Sequence, residues 1–502
     1  MRFARCTRSA WAASWPPAIA AEAAASCGCK RPRAFKLLAA QQLAPARHAE
    51  APAEALPIER SHPDAMALVA RLFGLLSAAP ATARILEMGC ADGGNIVPLA
   101  ALLPRAQFVG MDTRPNALRE AAAFAARVGV RNVTFLPRGL ESMPAEIGEF
   151  DYIICHEPFS SLPAHVQYLV LQQLKQRLAP NGVGYLSYQC GGTGHRGPAS
   201  ASGQRPVTTD RGLRFTQVAD RLMKAGLQYL GEADFVTMLP SNLGTSAEQV
   251  IKRVSQRGIV AAEQAMDYLR RRSYRETLVC HGDVRLKRRI SVEDIAPLYL
   301  SAATQEMRSS TPGGAARYQA ANGAYVTTSS PALQHALKIL QARYPARLTM
   351  RQLMGTVGPV HEADRTRLAY SIFSACMSGV VSLALSPLPV GAASSHPVAW
   401  SVARDQAVRQ RWVSNLQHRL VLLEDFPLHL HAISLLDGKL DLDQLAASLA
   451  ALVASRASTL STGEQTFRSH SGIRAQLMRA GPLLVRDLAK LGLIADEPAR
   501  RL

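Results

Sequence analysis

The chain has 502 residues, of which 48% are hydrophobic, so it can fill roughly two to four domain cores and is not a disordered protein. Its 57 lysine and arginine residues outnumber 38 aspartate and glutamate residues and give a net charge of +19. The basic residues are scattered and are not interleaved with aromatic residues, so we predict no nucleic-acid binding.

Cysteine usage and hydropathy indicate which cellular compartment the protein occupies. The eight cysteines include no CxxC pair, which argues for a reduced compartment and against a disulfide framework or a structural zinc site. No segment reaches the roughly 18 to 20 uninterrupted apolar residues of a membrane span. We therefore predict a soluble, cytoplasmic protein with no membrane span and no metal site.

Residues 1–57 are rich in Ala, Pro and Arg and contain one apolar patch, at 11–20. A signal peptide is one interpretation of this composition. Two prolines interrupt the patch, however, and an enzyme-like chain follows, which favours a disordered basic leader or an overextended start.

The first half of the chain alternates strands with helices, which predicts an α/β fold: a Rossmann-like, doubly wound, mostly parallel sheet. A helix at 63–77 comes first. The predicted strands are 84–88, 107–111, 132–136, 150–156, 182–188 and 227–230, and the helices between them are 96–103, 117–128, 166–178 and 215–225. Residues 190–209 are predicted to form a flexible loop.

The second half is predicted to be mostly helical, without internal repeats. Helices are expected at 246–272, 292–301 and 332–342, with an extended stretch at 325–329. From residue 348 onward helical segments predominate.

Residues 85–95, IleLeuGluMetGlyCysAlaAspGlyGlyAsn, form the most informative motif. An apolar strand ends in Glu87 and turns through Gly89 and Gly93 into an apolar helix. The next strand ends in Asp112, where a doubly wound sheet places a carboxylate that holds a ribose. The spacing departs from GxGxxG, and Glu87 and Asp92 supply negative charge where a pyrophosphate needs positive potential.

This chemistry favours a cationic nucleoside cofactor, S-adenosylmethionine, over a dinucleotide. Gly139, Leu140 and Glu141, after the third strand, are placed to meet the adenine. The predicted cofactor contacts are Glu87, Gly89, Cys90, Ala91, Asp92, Gly93, Asn95, Asp112, Gly139, Leu140 and Glu141.

Two strand-end residues are candidates for catalysis, His156 and Tyr188. If the methyl group of the cofactor is transferred to a lysine, that amine must first lose a proton from an ordinary pKa of about 10.4, which requires desolvation or a nearby proton acceptor. Each candidate also has a structural interpretation, since a strand-end histidine often bonds a loop and a tyrosine often only packs. Cys90 and Cys155 are interpreted as small buried side chains rather than nucleophiles.

The sequence resembles class I S-adenosylmethionine-dependent methyltransferases with a methyltransferase regulatory domain, and in particular the rickettsial protein lysine methyltransferases. The similar stretches are 61–75, 86–95, 150–156, 178–188, 226–235 and 263–281, with further matches at 403–407 and 435–438. After the disordered basic leader at 1–57, which composition suggests, the resemblance implies a methyltransferase domain at 58–244, a regulatory domain at 245–330 and a winged-helix-like domain at 331–502.

The resemblance further implies methyl transfer to lysine side chains of a protein substrate, and a dimer is compatible with it. The segments after strands four and five differ from the family pattern, at 159–163 and from Gln189 onward. A degenerate relative that binds the cofactor and acts as a binding or scaffold protein is therefore the alternative. A nicotinamide dinucleotide dehydrogenase is a third, less favoured interpretation.

Overall fold

The structure is a computed structural model. It describes residues 56–156, 159–191, 212–307, 315–358, 361–391, 394–423, 427–455, 460–462, 465–467 and 470–496. The predicted leader, except its last two residues, and the predicted loop beyond Gly191 lie outside these ranges. No helix in the described ranges is long and apolar enough to span a bilayer.

A seven-stranded sheet organises the first half of the chain. Its strands are β1 Arg84–Met88, β2 Gln107–Met111, β3 Val133–Leu136, β4 Phe150–Cys155, β5 Leu178–Gln189, β6 Leu227–Glu232 and β7 Tyr274–His281. The spatial order is β3-β2-β1-β4-β5-β7-β6. Strands β1 to β5 pair in parallel, and β7 runs antiparallel to both β5 and β6. The predicted mostly parallel, doubly wound sheet is confirmed.

Helices cover both faces of this sheet. They are α1 Pro63–Leu72, α2 Ile96–Leu102, α3 Pro115–Val128, α4 Ala164–Arg177 and α5 Phe215–Lys224. The local sequence sets their ends: α3 starts at a proline, whose fixed φ suits a first turn, and is followed by Gly129 at φ +79°. Helix α1 is shorter than predicted because Gly74 adopts φ +84°, which a right-handed helix cannot include.

The segment predicted as one helix at 246–272 forms two, α6 Thr245–Val254 and α7 Ile259–Arg270. They separate at Gly258, which has φ +103°. Strand β7 follows and was not predicted. It fills the position between β5 and β6, so the sheet takes a strand from beyond Gly244, where the sequence places the end of the first domain.

Arg275 of β7 holds this part of the molecule together. Its side chain is fully buried and its guanidinium contacts Asp267 at 2.9 Å, Glu263 at 3.1 Å and Glu232. The guanidinium also lies 4.0 Å from the ring centroid of Phe215. These contacts join β7 to α7, to β6 and to α5. A buried cation is stable only when oppositely charged groups surround it, so removing Arg275 would disturb all of these elements together.

The C-terminal half is mostly helical, as predicted, with small antiparallel sheets. The helices are α8 Val292–Ile295, α9 Pro331–Arg343, α10 Met350–Val357, α11 Glu362–Met377, α12 Ser401–Arg409, α13 Pro427–Leu435, α14 Leu442–Ser455 and α15 His470–Lys490. The strands are β8 Tyr299–Ser301, β9 Thr304–Met307, β10 Ala316–Ala320, β11 Tyr325–Thr328, β12 Leu348–Thr349, β13 Ser382–Ala384, β14 Trp412–Ser414, β15 Leu420–Leu422, β16 Leu460–Thr462 and β17 Gln465–Phe467.

The helix predicted at 292–301 is wrong beyond its first turn. Pro297 cannot donate the backbone hydrogen bond that a continuing helix needs. The chain therefore leaves α8 at Ile295 and pairs as β8 with β12 and β13.

Two apolar cores lie on opposite faces of the sheet. One packs α4 and α5 against side chains such as Leu186 and Tyr188. The other covers the face that includes Ile85 and Tyr185 and runs without interruption from α1 and α2 into the C-terminal helices. The C-terminal half is therefore packed onto one face of the seven-stranded sheet.

Candidate cofactor site and acceptor edge

The turn after β1 brings the predicted cofactor residues to the carboxyl edge of the sheet. The amides of Gly89 and Cys90 donate to the Met111 carbonyl at 2.7 and 3.0 Å, which ties the turn to β2. Gly89 and Gly93 have φ values of +79° and +82°. A Cβ at Gly93 would lie 2.9 Å from Val97 Cγ2, whereas a Cβ at Gly89 would meet nothing within 4 Å. Gly93 thus allows close helix packing, and Gly89 presents backbone to open space.

Glu87, two residues before Gly89, carries a buried carboxylate. Its side chain accepts a hydrogen bond from Asn95 Nδ2 at 2.8 Å through Oε1. Its Oε2 is buried and has no hydrogen-bond partner among the described residues. Burial raises the pKa of Glu87 to about 7; the nearby Asp92 acts in the same direction, and the Asn95 hydrogen bond opposes it. A buried acceptor without a partner is costly, so a cationic donor placed here is favoured.

Asp112, at the end of β2, is fully engaged. Its Oδ1 accepts from the Arg114 backbone amide and Nε, both at 2.9 Å, and its Oδ2 accepts from Ala91 N and Arg114 Nη2, both at 3.0 Å. Burial acts to raise the pKa of Asp112, but the hydrogen bonds from Arg114 and Ala91 outweigh it and hold the pKa below its ordinary value. The Arg114 guanidinium occupies both Asp112 oxygens, so a ribose can reach them only if this side chain moves away. The Arg114 side chain is 58% exposed, which leaves it room to do so.

Asn95 does not line the open space. Both protons of its amide are used, on Glu87 Oε1 at 2.8 Å and Ser61 Oγ at 3.1 Å. Its Oδ1 accepts from Ile58 N at 2.9 Å and contacts His418 Nε2 at 2.7 Å. A side-chain amide has no further capacity. In this structure Asn95 holds the Glu87 carboxylate in place, and its direct contact with the cofactor stays a prediction.

The other residues of the turn have mixed roles. Ala91 has φ +49°, and its backbone amide donates a hydrogen bond to Asp112 Oδ2. Asp92 is half-buried and accepts a hydrogen bond from Gly94 N at 3.3 Å. The Cys90 thiol is buried, and burial raises its pKa above the ordinary value, which agrees with its interpretation as a small buried side chain.

Gly139, Leu140 and Glu141 follow β3, the strand that pairs with β2. The Leu140 carbonyl accepts from Gln173 Nε2 of α4 at 3.2 Å, which anchors this short segment. Glu141 is exposed, and its carboxylate lies against Gly139. The segment is thus a neighbour of the Asp112 strand end, as its predicted adenine contact requires.

His156 belongs to a polar chain that crosses β4, β5 and β7. Tyr185 Oη donates its only proton to Glu276 Oε1 at 2.8 Å, so the 3.1 Å contact between Tyr185 Oη and His156 Nδ1 is a donation from the imidazole. The lone pair of the neutral ring is then on Nε2. Burial lowers the pKa of His156 to about 4, although Glu276 opposes this. Arg60 closes the chain with bonds to Glu276 at 2.8 Å and Asp234 at 2.6 Å.

Tyr188 lies on the opposite face of β5. Its side chain is fully buried, and its hydroxyl contacts Thr277 Oγ1 at 3.2 Å, beside the Arg275 cluster. The structure does not bring Tyr188 to His156 but packs it in the core beneath α4 and α5, a position that does not support its predicted catalytic role, which stays a prediction. Sequence reasoning did not identify Tyr185 and Glu276 as site residues. They come together only through the register between β5 and β7, in which Ser187 lies opposite Glu276.

A polar opening of about 60 Å³ lies beside the same chain. Tyr274, which lines it, has its ring centroid 6.5 Å from that of His156. The lining residues are Arg60, Glu232, Asp234, Thr237, Arg272, Tyr274 and Glu276. Three carboxylates and two guanidinium groups line the opening. Asp234 and Glu276 are paired with Arg60, and Glu232 is paired with the buried Arg275.

Three family models match parts of this chain. Residues 85–182 match a methyltransferase domain, residues 210–281 a predicted methyltransferase regulatory domain, and residues 395–493 the C-terminal winged helix domain of PKMT. The chain is also similar in structure to PKMT2 from Rickettsia typhi, solved in complex with AdoHcy, with a TM-score of 0.77 and 17% identity. That likeness covers 88% of this chain and 100% of the other. The chain has the class I methyltransferase fold.

Two curated relatives of this chain come from Rickettsia prowazekii. The chain is 28% identical over 303 residues to the uncharacterized protein RP789 of Rickettsia prowazekii, which is 49% of this chain and 54% of the relative. It is 29% identical over 139 residues to the uncharacterized protein RP028 of the same organism, 56% of that relative. The aligned stretches thus span about half the length of each relative.

The comparisons confirm the resemblance stated from the sequence, including the regulatory and winged-helix-like regions. The expected cofactor, S-adenosylmethionine, is supported by the match of residues 85–182 to a methyltransferase domain. Strands β6 and β7 both fall within the stretch that matches the regulatory domain model.

Proposed function

We propose that this protein is an S-adenosylmethionine-dependent methyltransferase that modifies lysine side chains of a protein. The observation that carries the proposal is the buried Glu87 carboxylate, whose Oε2 has no hydrogen-bond partner among the described residues and which comes two residues before Gly89, where the backbone faces open space. This combination of a cationic preference and an approachable backbone fits the amino-acid end of the cofactor. The cofactor, when bound, supplies an activated methyl group on a sulfonium.

The residues of the turn would hold the cofactor in distinct ways. Glu87 accepts a hydrogen bond from the ammonium group, and Gly89 allows the methionine portion to approach its backbone. Asp112 accepts from the ribose hydroxyls once Arg114 releases it, and 139–141 border the adenine. Binding of this kind aligns donor and acceptor, a contribution worth roughly 7 to 11 kcal/mol in favourable systems.

A lysine acceptor is supported by the charge of the opening next to His156. Its lining carries one more carboxylate than guanidinium groups, and the Tyr274 ring lies between the opening and the His156 ring. A pKa of about 4 makes His156 a poor base for an ammonium group of pKa about 10.4, a gap of about six units or roughly 8 kcal/mol. We therefore propose that His156 Nε2 orients the acceptor amine, and that desolvation promotes its deprotonation.

Two measurements test the function. Isothermal titration with S-adenosylmethionine and S-adenosylhomocysteine measures binding, and transfer of a tritiated methyl group to a lysine-rich protein measures activity. The matched control substrate is the same protein with its lysines acetylated. Label on the unmodified protein alone supports lysine transfer. Equal label on both substrates contradicts lysine specificity, and no heat with either nucleoside contradicts the whole proposal.

A cofactor-binding scaffold is the second candidate, and one observation favours it. Phe159 is fully buried, and Ser160 Oγ accepts from the backbone amide of Gln189 at 3.0 Å. The segment after β4 thus packs onto the end of β5, where the sequence departs from the family pattern. Heat on titration without label on any protein of a cell lysate would support this candidate.

A further inference from the structure

The tip of the β14–β15 hairpin reaches the back of the cofactor turn. Asn415 Oδ1 accepts from the amides of Gln417 and Arg419 at 3.0 and 2.9 Å and closes a tight turn. Within it His418 has φ +56°, a left-handed conformation that a side chain other than glycine or asparagine adopts at a cost. The hairpin belongs to the stretch that matches the winged helix domain.

The turn delivers the imidazole of His418 into a fully buried position. Its Nε2 lies 2.7 Å from Asn95 Oδ1 and 3.3 Å from the Ile58 amide nitrogen. The Ile58 amide has its shorter hydrogen bond, 2.9 Å, to Asn95 Oδ1, so we assign Nε2 as a protonated donor to that same oxygen. Burial, together with the neighbouring His62, keeps the pKa of His418 well below its ordinary value, so the ring is neutral and carries its single proton on Nε2.

That proton decides which way the Asn95 amide faces. Asn95 Oδ1 is held by two donors, His418 Nε2 and the Ile58 amide, which leaves the NH₂ group to donate to Glu87 Oε1. A flipped amide would place its oxygen against the Glu87 carboxylate, an unfavourable contact between two acceptors. A side-chain amide flips easily unless its hydrogen bonds fix it.

We propose that His418 is a positioning residue of the C-terminal domain for the cofactor site: through Asn95 it sets the carboxylate of Glu87 for the ammonium group of the cofactor. The proposal rests on the proposed function, because it assigns that carboxylate to the amino-acid end of the nucleoside. Its consequence is that docking of the hairpin and binding of that end of the cofactor are coupled.

The test compares two nucleosides that differ in the amino-acid end. S-Adenosylhomocysteine carries it, and 5′-methylthioadenosine has the same adenosine and sulfur without it. In the full-length protein, His418→Leu is expected to weaken S-adenosylhomocysteine binding about three- to tenfold, the worth of one hydrogen bond, and to leave 5′-methylthioadenosine binding unchanged. His418→Gln, whose amide extends as far as Nε2, is expected to restore the ratio.

Two further variants separate positioning from docking or folding. His418→Asn suits the left-handed backbone but is too short to reach Asn95, so it should behave like His418→Leu. Asp405→Asn breaks a different contact between the two regions, the Arg127–Asp405 ion pair at 2.8 Å, and should leave the ratio unchanged.

The outcomes are distinct. Failure of the wild-type protein to bind S-adenosylhomocysteine overturns the proposed function. Binding by the wild type, with both nucleosides weakened in parallel by the His418 variants or neither affected, overturns the positioning role alone. A ratio that Asp405→Asn changes as much as His418→Leu does would assign the effect to docking and also overturn it.

Discussion

The two carboxylates at the ends of β1 and β2 are opposites in their surroundings. Glu87 has one partner and a raised pKa, whereas Asp112 has four hydrogen bonds and a lowered pKa. A ligand therefore gains a free acceptor at Glu87 but must replace an existing partner, Arg114, at Asp112. The two ends of the cofactor should respond differently to pH and to mutation.

Cofactor binding should strengthen as pH rises from about 6 to 8. With a pKa of about 7, Glu87 is largely protonated at the lower pH and ionised at the higher, and only the ionised form attracts an ammonium group fully. Glu87→Gln should remove this pH dependence and weaken binding by roughly ten- to a hundredfold, the worth of a hydrogen bond to a charged group. Titration of S-adenosylhomocysteine at several pH values measures both; a wild-type affinity independent of pH contradicts the assignment.

Arg114 and Asp112 variants should change affinity in opposite directions. Arg114→Ala removes an exposed ion pair worth about 1 kcal/mol or less, so S-adenosylhomocysteine should bind up to about fivefold more tightly. Asp112→Ala should weaken binding more than any other single truncation. The control is Arg119→Ala, which removes an exposed arginine of α3, the helix that follows Arg114. Weaker binding by Arg114→Ala would mean that this guanidinium helps to hold the ligand.

Strand β7 is the element on which the regulatory stretch and the sheet depend together. Arg275→Met leaves Glu232, Glu263 and Asp267 without their main buried cation, and breaking a buried pair of this kind costs roughly 3 to 5 kcal/mol. Urea unfolding should therefore show a much lower midpoint. Arg285→Met, at an exposed position, removes the same charge and should leave the midpoint nearly unchanged. Equal effects of the two variants would indicate that overall charge, not the buried cluster, sets stability.

The limits of sequence-based prediction lie in this same element. Strands β1 and β2 were predicted to the residue, because apolar runs bounded by Gly and Asp identify them directly. Strand β7 begins TyrArgGluThr, and its charges lie on both faces: Arg275 toward the buried cluster and Glu276 toward Tyr185. Such charges suggest a surface segment until their tertiary partners are known.

The candidate site shows a similar limit. The glycine turn and both carboxylates followed from spacing. The choice between Tyr185 and Tyr188 depended instead on which of the two lies on the same face of the sheet as the His156 ring. Side chains alternate along a strand, so an odd separation of three residues puts the two rings on opposite faces. The support of Glu87 by His418 joins residues far apart in the chain, and no local pattern indicates it.

Over the whole molecule, buried neutral histidines should make the protein unstable in acid. Four of them have a pKa below the ordinary value: His62, His156, His418 and His429. Between pH about 6.5 and 4 the unfolded chain binds their protons and the folded chain does not, so stability falls as pH falls, by roughly 1.4 kcal/mol per pH unit for each histidine.

Two buried glutamates oppose this trend without reversing it. Glu87 and Glu263 have a pKa of about 7 when folded, which favours the folded state as pH falls through that value. Asp267 and Asp487 also have a raised pKa and act with the glutamates, whereas the lowered pKa of Glu59 and Asp112 acts with the histidines. The histidines titrate across this whole range, so the urea midpoint should drop between pH about 6.5 and 4.5. His429→Leu, in a pocket lined by Leu445, Leu449 and Leu477, should reduce the slope. A midpoint that stays constant over this range would contradict the buried, neutral state of these rings.

The position of β7 also limits where the protein can be divided. A fragment that stops at the boundary suggested near Gly244 keeps β5 and β6 but loses the only strand that both of them pair with at that end of the sheet. It would expose an unpaired β5 edge and leave β6 with no neighbour, a surface prone to self-association. A fragment for expression should therefore extend past His281. The regulatory stretch contributes strands to the central sheet, so it cannot be removed without disrupting that sheet.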